Sequence, residues 1–134
     1  MPRQIGHLQY NIQPENVGFY RDLMGHLGWE TLHDAHGMFG CDSGSGQSLW
    51  FTPATGNEPA NSDALGLNHL AFAADSVEDV DQLAAWLTGH GGKALYETPR
   101  HRPDFSSSDD DTYYQVMFTT PDGILFEIVY TGPK

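Results

Sequence analysis

Three side chains suited to binding a divalent metal ion lie in segments whose alternation is typical of β-strands. His7 and His69 each lie in a short predicted strand, and Glu127 lies in the middle of a strongly apolar one. A carboxylate in such a strand is costly to bury without a partner. Two imidazoles and one carboxylate form a ligand set that leaves coordination positions open, so the ion can also act as a Lewis acid. The sequence therefore predicts His7, His69 and Glu127 as the ligands of one divalent ion.

The spacing of these residues does not by itself identify a metal site. His7 and His69 are 62 positions apart, and His69 and Glu127 are 58 positions apart. The alternative is that both histidines are ordinary half-buried side chains and that Glu127 pairs with a lysine or arginine. On spacing alone, that alternative is the favoured interpretation.

An internal repeat provides the elements that must position these residues. A predicted strand over residues 5–12 leads through Pro14 into an amphipathic helix, and a strand over 67–73 leads through Ser76 into a second one. A glycine and histidine pattern recurs 64 positions later, with Gly25, His26 and Gly28 in the first half and Gly89, His90 and Gly92 in the second. Such self-similarity indicates a duplicated unit. The histidine at the end of each helix is predicted to cap the helix C-terminus.

Extended runs follow each helix and complete the predicted unit as βαβββ. They are predicted over residues 29–33, 38–42 and 47–52 in the first half, and over 93–97, 113–119 and 124–130 in the second. The prediction is an α+β fold in one domain, 1–134, with module one at about 4–53, a linker at about 54–65 and module two at about 66–131.

The polar segment 98–112 is predicted as a long loop. Long loops within compact domains often bind ligands, and disorder is the competing interpretation. His101, between two arginines, is a candidate base or anion anchor there, and a solvated loop is the favoured interpretation. Tyr113 and Tyr114 point to opposite faces of the following strand, so that one of them is expected to line a cleft.

The composition excludes several classes of partner. Six lysines and arginines oppose 18 acidic residues, which gives a formal net charge of −12. A surface so acidic repels nucleic acid and anionic lipid. No apolar run is long enough to span a bilayer, and the single cysteine, Cys41, cannot form an intramolecular disulfide. A cytoplasmic protein that acts on a small molecule is expected.

Four segments together resemble the vicinal oxygen chelate superfamily, the group of glyoxalases, bleomycin-resistance proteins and extradiol dioxygenases. They are GHLQYNI, PENVGFYRDLMGHLGWE, LNHLAFA and TPDGILFEIVY. The resemblance implies paired βαβββ modules whose mixed sheets curl around one divalent ion (Zn, Ni, Mn or Fe(II)), and a homodimer. It also implies ligands on the first and last strands of each module. Those places hold His7 and Trp50 in module one, and His69 and Glu127 in module two.

Trp50 departs from the family pattern and narrows the expected activity. Similar glyoxalase I and methylmalonyl-CoA epimerase sequences use a glutamate at this place, and an indole can neither bind the ion nor move a proton at neutral pH. Trp50 is instead predicted as a wall of the substrate pocket, with Tyr113 and His101 as further substrate contacts. Extradiol dioxygenases have a tyrosine ten residues before the glutamate, where this chain has Met117.

The expected function is that of a metal-dependent enzyme of the lyase or isomerase type, acting on a small substrate that chelates the ion through adjacent oxygens. The sequence does not identify a catalytic residue. An extradiol-type dioxygenase or thiol transferase is the first alternative. A non-catalytic binding protein of the resistance type is the second.

Overall fold

A computed structural model describes all residues, 1–134, and the chain divides into two compact units. The first unit is Met1–Glu58 and the second is Pro59–Lys134. The division falls inside the segment predicted as the linker, residues 54–65.

The first unit contains a four-stranded mixed sheet and one α-helix. Its elements are β1 (His7–Ile12), a 3₁₀ turn (Pro14–Asn16), α1 (Val17–His26), β2 (Glu30–Ala35), β3 (Met38–Asp42) and β4 (Ser48–Pro53). The strand order is β1-β4-β3-β2, with β1 parallel to β4 and the other pairs antiparallel.

The second unit repeats this plan. Its elements are β5 (Leu70–Ala73), α2 (Val77–Leu87), β6 (Lys93–His101), a 3₁₀ turn (Pro103–Phe105), β7 (Asp111–Thr119) and β8 (Leu125–Pro133). The order β5-β8-β7-β6, with β5 parallel to β8, reproduces the order of the first unit. The prediction of an α+β fold built from two βαβββ modules is therefore confirmed.

Each helix packs an apolar face on one side of its own sheet. In the first unit the Tyr20 ring of α1 stacks on Phe51 of β4, with 4.6 Å between ring centroids. In the second unit Val80 and Leu83 of α2 are buried. The hydroxyl of Ser76 accepts a hydrogen bond from the Asp79 amide at 3.1 Å, and this contact confirms the predicted N-cap of α2.

The observed strands differ from the predicted ones at two places near Glu127. β5 begins at Leu70 rather than at residue 67, and Asn68, which precedes it, binds the Ser62 carbonyl through its side chain at 2.9 Å. β6 continues to His101, so the predicted loop at 98–112 is shorter, and its first four residues belong to a strand. Neither helix of the protein is both long and apolar enough to cross a membrane.

Candidate functional site

Glu127 is a buried carboxylate at the centre of the second sheet. It lies on β8 between Ala71 of β5 and Met117 of β7, and only 2% of the residue is exposed. A buried carboxylate requires hydrogen bonds or a counter-charge to offset the loss of water. The side chains around Glu127 supply both kinds of contact.

Two donors from β7 bind one oxygen of this carboxylate. The Tyr113 hydroxyl and the Gln115 Nε2 each donate to Glu127 Oε2 at 2.6 Å. Tyr113 and Gln115 are two residues apart on one strand, so both side chains point to the same face of the sheet. The pKa of Tyr113 is raised to about 12, chiefly by burial and secondly by the hydrogen bond to Glu127. The hydroxyl therefore remains a donor at neutral pH.

The orientation of the Gln115 amide is set by a guanidinium. Arg102 donates from Nη1 to Gln115 Oε1 at 3.0 Å, so the amide nitrogen must face Glu127. The chain Arg102–Gln115–Glu127 therefore has one arrangement of donors and acceptors. It holds the second carboxylate oxygen, Oε1, towards His69.

His69 meets Glu127 across the first and last strands of the module. Its Nε2 lies 3.1 Å from Glu127 Oε1, and its Nδ1 lies 2.7 Å from Asn68 Oδ1. The Asn68 amide nitrogen donates to the Ser62 carbonyl, so Asn68 Oδ1 is the acceptor and His69 Nδ1 carries a hydrogen. In a neutral imidazole the Nε2 lone pair then faces the carboxylate. Two acceptors at this distance require a proton or a cation between them.

The geometry of this pair fits a metal ion. Ligands about 2.1 Å from an ion and roughly 90–109° apart are separated by about 3.0–3.4 Å, and the observed nitrogen–oxygen separation is 3.1 Å. A histidine whose other ring nitrogen is hydrogen-bonded, and a carboxylate that is itself hydrogen-bonded, are also typical of metal ligands. Within either unit, no three His, Cys, Asp or Glu side chains converge. The structure thus brings together two of the three predicted ligands, His69 and Glu127.

His7 is the predicted ligand from the first unit. It is exposed at the start of β1 and pairs with Ser48 of β4. Gln9, two residues on, pairs with Trp50, just as Ala71, two residues after His69, pairs with Glu127. The two modules are therefore in the same register. Trp50 occupies the place in module one that Glu127 occupies in module two, and the role of His7 as a ligand stays a prediction.

Trp50 lies on the face of the first sheet opposite α1. The adjacent Phe51 points to α1, whereas the Trp50 ring covers Gly40 of β3 and lies near His33, with 6.4 Å between ring centroids. Its indole nitrogen donates to the Ser48 hydroxyl at 3.0 Å. Trp50 is half-buried and shares its sheet face with His7. Its role as a wall of a substrate pocket stays a prediction.

A pocket of about 590 Å³ opens beside Glu127 in the second unit. Its polar lining includes Asn68, His69, Arg100, Arg102, Tyr113 and Gln115. Its apolar lining comes from Tyr96, Phe105, Met117 and Leu125. Concave sites with apolar walls and a few convergent polar groups are typical of small-molecule pockets.

A bulge in β6 decides which side chains of the segment 98–112 reach this pocket. Leu95 pairs with Met117 and Arg100 pairs with Gln115, so five steps along β6 match two steps along β7. Over this stretch β6 therefore contains three more residues than β7. Because three is an odd number, side chains after the bulge point to the face opposite the one they would have in a regular strand. Inside the bulge, the Thr98 hydroxyl accepts from the Met117 amide at 3.0 Å and takes the place of a strand hydrogen bond.

His101 therefore points away from the pocket, and its neighbours line it. The His101 ring contacts the Thr112 hydroxyl, while Arg100 and Arg102 are on the pocket face. Of the three substrate-binding residues predicted from sequence, Tyr113 is the one whose side chain lines this pocket. Tyr114 faces the other way, and its hydroxyl donates to Asp81 of α2.

Sequence reasoning missed Gln115, Asn68 and the arrangement of the two arginines. Gln115 could have been found by strand alternation, because it shares a face with Tyr113. Asn68 precedes a predicted ligand, but its role depends on a loop contact with Ser62 that has no sequence signal. The arginines were assigned to a loop because nothing in the sequence indicated the bulge.

Comparison with known proteins identifies the family. The sequence profile of the Glyoxalase/Bleomycin resistance protein/Dioxygenase superfamily matches residues 4–128. A crystal structure of a candidate glyoxalase from Bacillus halodurans is 28% identical, with a TM-score of 0.77 and 95% of each chain covered. A glyoxalase/bleomycin resistance protein from Albidiferax ferrireducens T118 is 23% identical, with a TM-score of 0.73 over 94% of this chain and 98% of that one.

A further match is confined to part of the chain. The uncharacterized protein YqjT of Bacillus subtilis (strain 168) is 43% identical over 65 residues, which are 48% of this chain and 47% of that protein. The match thus spans about half the length of that relative. The profile match over nearly the whole chain, together with the duplicated βαβββ fold, shows that the protein belongs to the Glyoxalase/Bleomycin resistance protein/Dioxygenase superfamily.

Proposed function

We propose that the protein is a divalent-metal-dependent enzyme of the lyase or isomerase type, acting on a small substrate that chelates the ion through adjacent oxygens. The observation that carries the proposal is the facing pair of acceptors, His69 Nε2 and Glu127 Oε1, 3.1 Å apart. Each is oriented by its own hydrogen bonds, so the pair is arranged to share a cation. His69 and Glu127 would hold the ion, with His7 as the proposed third ligand.

When bound, such an ion would supply Lewis-acid polarisation of a carbonyl or hydroxyl oxygen. The side chains of the second module supply the rest. Tyr113 and Gln115 hold Glu127 in one orientation, and the oxygen of the Tyr113 hydroxyl can accept a hydrogen bond from a substrate hydroxyl. Phe105, whose ring lies 5.4 Å from that of Tyr113, forms part of the apolar lining beside it.

Metal binding by variants at Glu127 tests the proposal most directly. Glu127→Gln keeps the size of the side chain and removes the charge, and we expect it to weaken zinc or nickel binding by at least about 100-fold. Glu97→Gln is the matched control, because the Glu97 side chain is 90% exposed in the same module. Isothermal titration calorimetry on the full chain measures both variants.

Turnover is tested with a reaction that needs no knowledge of the product. Small α-hydroxycarbonyl compounds in deuterium oxide exchange the hydrogen beside the carbonyl when a site polarises that carbonyl and moves the proton, and proton NMR follows the exchange. We expect metal-dependent exchange that Glu127→Gln abolishes. Metal binding without exchange would favour a binding protein of the resistance type. Absence of metal binding would contradict the proposal.

A further inference from the structure

Two of the six cationic side chains of this acidic protein line one pocket. Arg100 lies on β6 and Arg102 directly follows the last residue of that strand, and both face the same space as His69 and Glu127. The carboxylates that line the pocket are those of Asp63 and Glu127. With a net charge of −12, the chain as a whole repels anions, so a local excess of guanidinium is needed wherever an anion binds.

Arg102 is held in place without a carboxylate partner. One of its N–H groups donates to Gln115, and its guanidinium carbon lies 4.8 Å from the centre of the Phe105 ring. Among the arginines, Arg21 and Arg100 have carboxylate partners, and Arg102 has none. A guanidinium stacked on an aromatic ring keeps its remaining donors directed sideways, in the fork geometry that matches a carboxylate or phosphate.

Arg100 is the more accessible of the two. Its side chain is 47% exposed, and its contact with Glu97 is 3.9 Å long and made to a carboxylate that is 90% exposed. An ion pair so long and so exposed to solvent contributes little to stability, and another anion can easily displace Glu97 from Arg100. The bulge of β6 turns both arginines towards the pocket, which is the arrangement a bidentate anion site requires.

The cationic end of the pocket is coupled to its acidic end by a single amide. Gln115 accepts from Arg102 and donates to Glu127, so a ligand bound to Arg102 lies one side chain away from the proposed metal ligands. A small molecule can therefore contact both ends.

We propose that the substrate is an anion whose carboxylate or phosphate group binds Arg100 and Arg102 while its adjacent oxygens chelate an ion held by His69 and Glu127. The inference rests on the proposed function in taking this pocket as the substrate site and in placing the ion at His69 and Glu127. It restricts the substrate class to small acids and phosphate esters. Neutral α-hydroxycarbonyl compounds should then exchange more slowly than those that carry a carboxylate or phosphate group.

The test uses inorganic phosphate, and benzoate against its neutral analogue benzamide. Binding to the full chain is measured by NMR, through the side-chain Nε–Hε signals of the arginines, with and without saturating zinc. We expect phosphate and benzoate to bind, and benzamide to bind at least about tenfold more weakly. Arg100→Gln and Arg102→Gln should each weaken benzoate binding by roughly 5- to 10-fold, since a hydrogen bond to a charged group is being lost at a partly solvated site.

Lys93→Gln is the control, because it removes the same charge from an exposed position on β6 outside the pocket. It should leave benzoate binding within twofold of the unaltered protein. Arg102→Lys, which keeps the charge and loses the fork, should fall between Arg102→Gln and the unaltered protein. If Arg102→Gln fails to fold by circular dichroism, the half-exposed Arg100→Gln provides the comparison.

Three results would overturn the inference: equal binding of benzamide and benzoate, equal weakening by Lys93→Gln and Arg100→Gln, or binding of neither anion to the unaltered protein. Failure of the proposed function has a different signature. In that case zinc does not bind, while the dependence of benzoate binding on the arginines persists. The ratio of phosphate to benzoate affinity distinguishes a phosphate ester from a carboxylic acid.

Discussion

The two modules share topology and register, yet the equivalent places hold opposite chemistries. On the last strand of module one, Trp50 covers Gly40, where the adjacent strand offers no side chain. On the last strand of module two, Glu127 lies beside Met117 and accepts two hydrogen bonds from the strand next to it. The backbone of this fold therefore fixes the position of the side chain on the last strand, and the residue type alone determines its chemistry. One strand position serves as a stacking surface in one copy and as a buried anion in the other.

The largest effect is expected from the difference between Trp50 and Glu127. Since Trp50 cannot act as a base, we predict poor turnover of the glutathione hemithioacetal with zinc, nickel, manganese or iron(II). A positioned base contributes about 10²- to 10⁴-fold, so kcat/KM should remain below about 10⁶ M⁻¹ s⁻¹ against a diffusional ceiling near 10⁸. Trp50→Phe, which supplies no base, should not raise the rate, and Trp50→Glu should raise it. Turnover near the ceiling by the unaltered protein would mean that the base lies elsewhere.

The packing of Trp50 on Gly40 gives the next largest effect. An alanine Cβ at residue 40 would lie 2.4 Å from the Trp50 ring, so Gly40→Ala should lower the free energy of unfolding by about 1–3 kcal/mol. Urea denaturation measures it. Gly25→Ala, in α1 with no atom near the added Cβ, should be neutral or stabilising by about 0.5–1 kcal/mol. In a Trp50→Ala background the cost of Gly40→Ala should largely disappear, and a persistent cost would show that the ring is not its cause.

A smaller effect is expected from the residues that orient Glu127. Gln115→Leu removes both the donor to the carboxylate and the acceptor for Arg102, and we expect zinc affinity to fall about tenfold. Tyr113→Phe should act in the same direction. Tyr114→Phe is the control from the opposite face of β7, where the hydroxyl binds Asp81. Competition with a chromophoric chelator gives the affinities, and an equal effect of Tyr114→Phe would contradict the assignment.

The smallest effect concerns the ionisation of the tyrosines. Burial raises the pKa of Tyr10 and Tyr113 to about 12, and the hydrogen bond to Asp81 does so for Tyr114, so these three tyrosines should ionise late. These pKa values are higher in the folded than in the unfolded protein, where they are about 10. The contribution of the three tyrosines to stability is therefore complete below pH 10 and is lost as the pH rises through 12. Absorbance at 295 nm follows the titration. Tyr113→Phe should remove one late transition, and an unchanged late amplitude would contradict the contact with Glu127.

The fold was predictable because its signals are local. Alternation placed His7 and Glu127 on strands, the Ser76 cap marked the start of α2, and the repeated glycines revealed the duplication. The hydrogen-bonded environment of Glu127 was only partly predictable. Tyr113 and Gln115 follow from alternation, whereas the contact between Asn68 and Ser62 depends on the path of a loop.

The face of the second strand in each module was not predictable, because a bulge changes strand register without a residue pattern of its own. β2 shifts register between Thr31 and His33, and β6 shifts between Leu95 and Arg100. In β6, Tyr96 and Glu97 adopt positive φ angles of 56° and 58°, a conformation that neither residue type favours. Propensity therefore indicates a regular strand there, and the tertiary pairing with β7 overrides it.

The bulge in β6 has a consequence for how specificity can change in this fold. The charge presented to the pocket depends on the number of residues between Leu95 and Arg100, as well as on their identity. Deleting a single residue from this segment would shift the pairing of β6 with β7 by one residue. The shift would turn His101 towards the pocket in place of the arginines. Two homologues with identical residues around the site, but with segments of different length here, would then present an imidazole in one case and two guanidinium groups in the other, and would differ in their affinity for anions. Insertions and deletions in this strand are a more informative guide to substrate class than substitutions in the site itself.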